Sequence, residues 1–82
     1  MVNKTVLVLA PTRVYADCHI KIKHKWHYIH SADMLRGISP ENTVIITAGP
    51  WWENMNDRDI AMTNTMLEYI ESVDGIVIRL VA

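Results

Sequence analysis

The chain has 82 residues, half of them hydrophobic, and a formal net charge of −1. A chain of this length has room for one domain with a thin core, so we expect residues 1–82 to form a single domain. The near-neutral charge argues against a protein that binds nucleic acid or anionic lipid by bulk attraction. Because Cys18 is the only cysteine, an internal disulfide is excluded and a reducing cytoplasm is favoured. We expect neither a signal peptide nor a membrane span, since no apolar run reaches roughly 18 residues.

Short apolar runs rich in valine, isoleucine and leucine predict buried parallel strands. They cover residues 5–10, 43–48 and 76–81, and turn residues bound each run. The aromatic and apolar segment 26–30 predicts one more strand, the second in chain order. Amphipathic segments separate the four strands, and this alternation is typical of an α/β fold.

The first helix is predicted from residue 13 to about residue 24, with Thr12 as its N-cap. Its apolar positions fall within one arc of about 100° at helical periodicity. They are Val14, Tyr15, Cys18 and Ile22. An alternating strand over residues 19–24 is the rival interpretation, and Ile20, which falls on the polar side of the helix, favours it.

Two further helices are predicted. Ser31 can cap a brief helix that ends at Gly37 through a left-handed glycine. The longest helix begins at Asp57 or Arg58 and continues to about Ser72. Its apolar residues cluster on one side. They are Ile60, Met62, Met66, Leu67, Tyr69, Ile70 and Val73.

Right-handed crossovers and a reversal after the second strand predict the sheet order 2-1-3-4. The fold is therefore predicted to be a small three-layer, Rossmann-like α/β sandwich with a four-stranded parallel sheet and three helices. The first helix would lie alone on one face, so the fourth strand would be thinly covered there. An apolar strand in that position is usually protected by something, and we expect a homodimer or a bound partner protein.

Open parallel sheets bind ligands beyond the strand ends where the order reverses, which here lies between the first and third strands. A nucleotide or small anion at that point would meet Thr12 and Arg13 after the first strand and Gly49 after the third. Asp33 follows the second strand, roughly where dinucleotide-binding folds keep a ribose-binding acid. The plainer alternative is an ordinary helix cap beside a solvated arginine. No Gly-x-Gly-x-x-Gly or Gly-Lys-Ser/Thr element is present to hold a phosphate.

The adjacent Trp51 and Trp52 follow the third strand. Two large neighbouring aromatics cannot easily both enter one small core, so we expect one of them to be exposed. Together with Glu53 they form a candidate anchor for a protein partner, because tryptophan is enriched at interface hot spots. The structural alternative is that both tryptophans cap the ends of the core.

Metal binding and catalysis find little support in the residue pattern. Five possible ligands lie close together in sequence, but their spacing matches no paired Cys-x-x-Cys or His-x-x-x-His element. They are Cys18, His19, His24, His27 and His30. Ser31 lacks a nucleophile elbow, and Cys18 is expected on the buried side of its helix. We therefore predict no metal, no cofactor and no enzymatic activity.

Two resemblances to known families can be stated. Residues 6–13, Val-Leu-Val-Leu-Ala-Pro-Thr-Arg, resemble the strand and turn that follow the phosphate loop of DEAD-box helicases. The phosphate loop and the acidic metal-binding motif of that family are missing. This likeness therefore implies a strand, a turn and a helix start, and no helicase activity.

The second resemblance covers about the second half of the chain. The pattern Tyr28-x-x-Ser31-x-x-x-Leu35-Arg36-Gly37, followed by an apolar strand and Trp51-Trp52, is similar to short Rossmann-like orphan proteins of bacteriophages. The resemblance implies an accessory protein, expressed early and located in the host cytoplasm, that binds a host or defence protein. It transfers no catalytic residue. The leading hypothesis is a non-enzymatic protein-interaction module; a nucleotide or small-anion binding module is the alternative.

Overall fold

A computed structural model describes residues 4–80 of the chain. Four strands and two α-helices form within this range. They are β1 (Thr5–Leu9), α1 (Arg13–His19), β2 (Trp26–Ile29), β3 (Thr43–Ala48), α2 (Asp57–Ser72) and β4 (Ile76–Leu80). Short 3₁₀ turns at Ala32–Leu35 and Pro40–Asn42 connect β2 to β3. Val81, the predicted last residue of the fourth strand, lies outside the described residues. Neither helix in this range has the length and apolar character that crossing a membrane requires.

The four strands form one parallel sheet in the order β2-β1-β3-β4, as the sequence predicts. In this register Val6 of β1 lies between Trp26 of β2 and Val44 of β3, and Val44 in turn pairs with Ile76 of β4. The central strands β1 and β3 are buried on both faces, which explains their unbroken apolar composition. β2 and β4 are the two edges of the sheet.

Hydrophobic residues pack in two clusters, one on each face of the sheet. The α2-side core lies between the sheet and α2 together with the turn Ala32–Leu35. Its buried members are Leu7, Leu9, Ile29, Leu35, Ile45, Trp51, Leu67 and Ile70. The α1-side core lies beneath α1. Its buried members are Val6, Val8, Ala10, Ala16, Ile20, Ile46 and Ala48. The prediction that the first helix stands alone on its face is confirmed.

The structure contains two α-helices in its described part, so the prediction of three is wrong. The expected brief helix after β2 is a four-residue 3₁₀ turn, Ala32–Leu35. Ser31 occupies its N-cap position, but the Ser31 hydroxyl makes no capping hydrogen bond. Gly37 follows with a φ of +74°, in the left-handed conformation that ends a helix. So few residues before this reversal cannot build the repeating i to i−4 bonds of an α-helix.

The first helix ends five residues earlier than predicted, at His19. Ile20 has extended dihedral angles of −97° and 103°, while its backbone N–H still donates to the carbonyl oxygen of Ala16. This departure from the helix turns the Ile20 side chain into the α1-side core, where it is 5% exposed. The rival strand over residues 19–24 does not form either. Burial of one large apolar side chain thus decides where α1 ends.

The predicted buried face of α1 is also wrong. Val14 is 69% exposed, Cys18 is exposed and Ile22 lies beyond the helix with 42% exposure. Ala16 is the residue of α1 that lies fully buried against the sheet. A small side chain at this position lets the helix approach the strands closely, and Tyr15 packs partly buried beside it. Apolar periodicity missed this because alanine contributes little to an apolar arc.

Candidate functional site

A cavity of about 650 Å³ opens at the carboxyl ends of β3 and β4. The loop after β3 and the first half of α2 complete its walls. It is lined by Thr47, Gly49, Pro50, Trp51, Trp52, Ile60, Asn64, Arg79 and Leu80. Its volume lies within the roughly 300–1,000 Å³ of known ligand sites. The cavity belongs to the end of the sheet at which parallel α/β folds bind their ligands.

Trp51 and Trp52 contact each other at this cavity but differ in burial. Their rings meet edge to face, with centroids 5.6 Å apart and an angle of 85° between the planes. Trp51 is 8% exposed and belongs to the α2-side core, whereas Trp52 is 49% exposed. The turn that carries them is closed by hydrogen bonds from Trp51 N to Gly49 O (2.9 Å) and from Met55 N to Trp52 O (3.0 Å). Trp52 is therefore an exposed aromatic side chain held by a buried one, as expected for two adjacent tryptophans.

Arg79 stands in the cavity wall with its charge already compensated. Its guanidinium donates two parallel hydrogen bonds to the Glu71 carboxylate, at 3.1 and 3.0 Å. These bonds hold the pKa of the Glu71 carboxyl below its usual value and raise the pKa of Arg79. Three of the five guanidinium N–H donors take no part in these two bonds. An anion that bound Arg79 in the cavity would have to share the guanidinium with Glu71 or displace it.

The crevice predicted between β1 and β3 is filled by the chain itself. The Tyr15 side chain lies against Gly49, and a Cβ atom at Gly49 would overlap the Tyr15 phenol group. Gly49 also has a φ of +57°, a conformation that other residues rarely adopt. Across the same junction, Asn54 Nδ2 donates a hydrogen bond to the carbonyl oxygen of Pro11. These contacts join the loops after β1 and β3 and occupy the space between them.

Thr12 and Arg13 make contacts within their own part of the fold. The Thr12 hydroxyl oxygen accepts a hydrogen bond from Tyr15 N at 3.0 Å, so Thr12 is the N-cap that the sequence predicts. The Arg13 guanidinium lies 5.4 Å from the centroid of the Trp26 ring. Arg13 Nε is also 3.5 Å from a carboxylate oxygen of Asp17, on the exposed side of α1. Both residues act here as parts of the helix start.

The other predicted site residues are distributed over the molecule. Asp33 lies in the 3₁₀ turn on the α2 side, 3.4 Å from Arg36 Nε, while Arg13 belongs to the α1 side. Arg13 and Asp33 are each paired with a residue of their own segment and not with each other. Of the four predicted ligand-binding residues, Gly49 is the one that lines the described cavity. Glu53 is exposed on the turn after Trp52, outside the cavity lining.

The candidate metal ligands have other contacts. His19 stacks on the Tyr15 ring with centroids 4.1 Å apart. His24 Nε2 lies 3.0 Å from the carbonyl oxygen of Lys4. Within residues 4–80, no three His, Cys, Asp or Glu side chains come together in an arrangement that would hold a metal ion.

The cavity contains residues that the sequence did not single out. Ile60 and Asn64 come from one face of α2, four positions apart, and Arg79 comes from β4. Arg79 pairs in register with Thr47 of β3. An arginine within an otherwise apolar strand was the available signal, because such a residue requires a polar partner or an opening beside it.

Comparisons of the chain with protein-family models, with curated proteins and with solved structures gave no match. The resemblance to bacteriophage orphan proteins stays a prediction. The function must be inferred from the residues at the cavity and along the edge of the sheet.

Proposed function

We propose that this protein is a non-enzymatic interaction module that binds a partner protein through Trp52 and the adjoining cavity. The observation that carries the proposal is the 49% exposure of Trp52 at the wall of a cavity of about 650 Å³. Large aromatic side chains next to a desolvated pocket are the residues that dominate binding energy in protein interfaces. The edge-to-face contact with buried Trp51 fixes the Trp52 ring before binding, which lowers the entropic cost of ordering it.

The lining of the cavity indicates the chemistry of the partner. Pro50 and Ile60 supply apolar walls, and Asn64 supplies an amide that both donates and accepts hydrogen bonds. Arg79 is neutralised by Glu71. A large apolar or aromatic side chain of the partner fits this lining, with a neighbouring peptide group on the Asn64 amide. A phosphate or carboxylate would compete with Glu71 for Arg79.

The binding surface is limited to one face of the sheet. Ile60, Asn64 and Arg79 place the cavity on the α2 side. Ile76, Ile78 and Leu80 are 40%, 42% and 38% exposed, but their register with β3 puts their side chains on the α1 side. These three side chains therefore form a separate apolar surface, and the proposed partner site consists of Trp52 and the cavity.

The biological setting is part of the same proposal. The likeness of the second half of the chain to Rossmann-like orphan proteins of bacteriophages supports an accessory protein that acts in the host cytoplasm. Its partner is then a host or defence protein. The near-neutral charge of the chain supports a protein partner over nucleic acid.

Comparison of two exposed aromatic residues tests the proposal. Trp52 and Tyr69 are 49% and 52% exposed, but Tyr69 lies on α2 outside the cavity lining. Immobilised wild-type protein, Trp52→Ala and Tyr69→Ala are each exposed to host lysate, and retained proteins are quantified by mass spectrometry. We expect one partner to be retained by wild type and by Tyr69→Ala and lost at least tenfold with Trp52→Ala, about 1.4 kcal/mol or more. Equal retention by all three proteins would contradict the proposal.

Binding of a nucleotide or small anion is the second candidate function. The position and volume of the cavity at the carboxyl ends of parallel strands favour it. The compensated charges of Arg13 and Arg79 weigh against an anionic ligand. We therefore rank this function below partner binding.

A further inference from the structure

Helix α1 carries apolar side chains on two opposite faces. Ala16 is fully buried against the sheet. Val14 and Cys18 each stand two residues from Ala16, about 200° around the helix, and both are exposed. A helix that is apolar on opposite sides is usually packed between two layers. In the described chain, α1 has a layer on one side only.

On the same face of the sheet, the apolar side chains of β4 lack a covering helix. Ile76, Ile78 and Leu80 pair in register with Val44, Ile46 and Ala48 of β3, so all six side chains point to the α1 side. The β3 residues Ile46 and Ala48 are buried there in the α1-side core. The three β4 residues stay about 40% exposed because no helix of the described chain covers them.

The spacing of the elements leaves room for one helix above β4. The α1-side core joins α1 to β1 and β3, and among the strands α1 approaches β3 most closely. Strands in a sheet are about 4.8 Å apart, and β4 is the next strand beyond β3. Packed helices are about 8–10 Å apart. A second helix beside α1 would therefore lie over the outer side of β4, within reach of its exposed side chains.

We propose that this second helix is α1 of another copy of the same chain. In a two-fold dimer, Val14 and Cys18 of each copy pack on Ile76, Ile78 and Leu80 of the other. The two α1 helices then form one layer between two sheets. Each copy supplies the layer that the other lacks, which is the self-complementarity that a two-fold interface requires.

The charges of the contact surface agree with a second copy as the occupant. Val14, Cys18 and the three β4 residues carry no charge. Arg13 is paired with Asp17 at the flank of the surface, and Arg79 points to the other face of the sheet, where it binds Glu71. No uncompensated charge of these elements would be buried between the copies, and this removes the main cost of such an interface.

The first test measures molecular mass in solution. Wild-type protein is examined by size-exclusion chromatography with light scattering over a range of concentrations, together with Val14→Asp and Met34→Asp. Aspartate in the first turn of a helix is favourable, so Val14→Asp keeps α1 folded while placing a charge in the interface. Met34, which is 41% exposed in the 3₁₀ turn on the other side of the sheet, is the control. We expect twice 9.4 kDa for wild type and Met34→Asp, and 9.4 kDa for Val14→Asp.

The second test uses Cys18, the single thiol of the chain. The rate of Cys18 alkylation should be about tenfold lower in the dimer than in Val14→Asp, since the thiol is covered by the partner's β4. A monomer at all concentrations would overturn the proposal. So would a dimer in which Cys18 reacts at the rate seen in Val14→Asp, because the copies would then meet elsewhere, for example through the free edge of β4. Trp52→Ala is expected to stay dimeric, so failure of this inference and failure of partner binding are distinguishable.

Discussion

The Tyr15 side chain occupies the space in which a Cβ atom of Gly49 would stand. This contact joins the start of α1 to the loop after β3 and closes the crevice between β1 and β3. The opening at the carboxyl edge consequently lies one strand further along, between β3 and β4. The Tyr15–Gly49 contact thus fills the space at the ends of β1 and β3, and the described cavity lies beside β3 and β4.

Two glycines with positive φ allow the effect of the Tyr15 contact on stability to be separated from the effect of backbone strain. Gly49 and Gly37 have φ values of +57° and +74°, but an added Cβ at Gly37 meets nothing within 4 Å. Gly37→Ala should lower the free energy of unfolding by about 1 kcal/mol through strain. Gly49→Ala should lower it by about 3 kcal/mol, because displacement of Tyr15 adds to the strain. Urea denaturation measures both losses, and equal losses would show that Tyr15 does not pack tightly on Gly49.

The neighbouring tryptophans should differ sharply in their effect on stability. Trp51 is 8% exposed within the α2-side core, so Trp51→Ala should cost about 3–5 kcal/mol. Trp52→Ala should change stability by less than about 1 kcal/mol, because half of that side chain is exposed. Thermal and urea unfolding check both values. A loss of several kcal/mol with Trp52→Ala would mean that Trp52 is structural and that its loss of binding is uninformative.

The strands could be predicted almost to the residue, for a clear physical reason. Residues 43–48 are buried between neighbours on both edges and both faces, so the strand composition is set by burial alone. The bounds of the long helix α2 could also be predicted from its period. Its buried face was predicted only in part, since Tyr69 and Val73 are 52% and 40% exposed and Thr63 is fully buried. The end of α1 could not be predicted, because it depends on whether Ile20 is buried in the α1-side core after the chain has folded.

The candidate site was only partly accessible from the sequence. Exposure of one tryptophan could be predicted, since two adjacent large aromatic side chains cannot easily both enter one small core, and Trp52 is the exposed one. The position of the cavity depends instead on where α2 places Ile60 and Asn64 relative to Arg79, which are distant in sequence. The sequence grouped Arg13 with Asp33, but each is paired instead with a residue close to it in the chain, Asp17 and Arg36 respectively.

Because of the Glu71–Arg79 pair, we expect the free energy of unfolding to fall at acidic pH. The hydrogen bonds from Arg79 lower the pKa of the Glu71 carboxyl in the folded protein. The stabilising contribution is therefore complete above the ordinary glutamate pKa and is lost as the pH falls through the lower, folded value. Carboxyl NMR titration should show the Glu71 pKa returning toward its ordinary value in Arg79→Gln. An unchanged Glu71 pKa in that variant would contradict the assigned cause.

Nucleotide binding can be tested by tryptophan fluorescence. Trp52 and Trp51 border the cavity, and Trp26 lies beneath Arg13, so a ligand at either place should alter the emission. Because Arg13 and Arg79 already have carboxylate partners, we expect no saturable response to a panel of nucleotides and inorganic phosphate. A saturable response that Arg13→Gln abolishes would instead establish the alternative function.

The most direct test of partner binding measures the Trp52 ring itself. Hydroxyl-radical footprinting with mass spectrometry reports the oxidation of each tryptophan separately, first in the isolated protein and then with the captured partner. We predict that Trp52 is the most oxidised tryptophan in the isolated protein and is protected at least about threefold in the complex, while Trp51 changes little. Oxidation of Trp52 at the same rate in both states would contradict the account, because the partner would then bind away from the cavity.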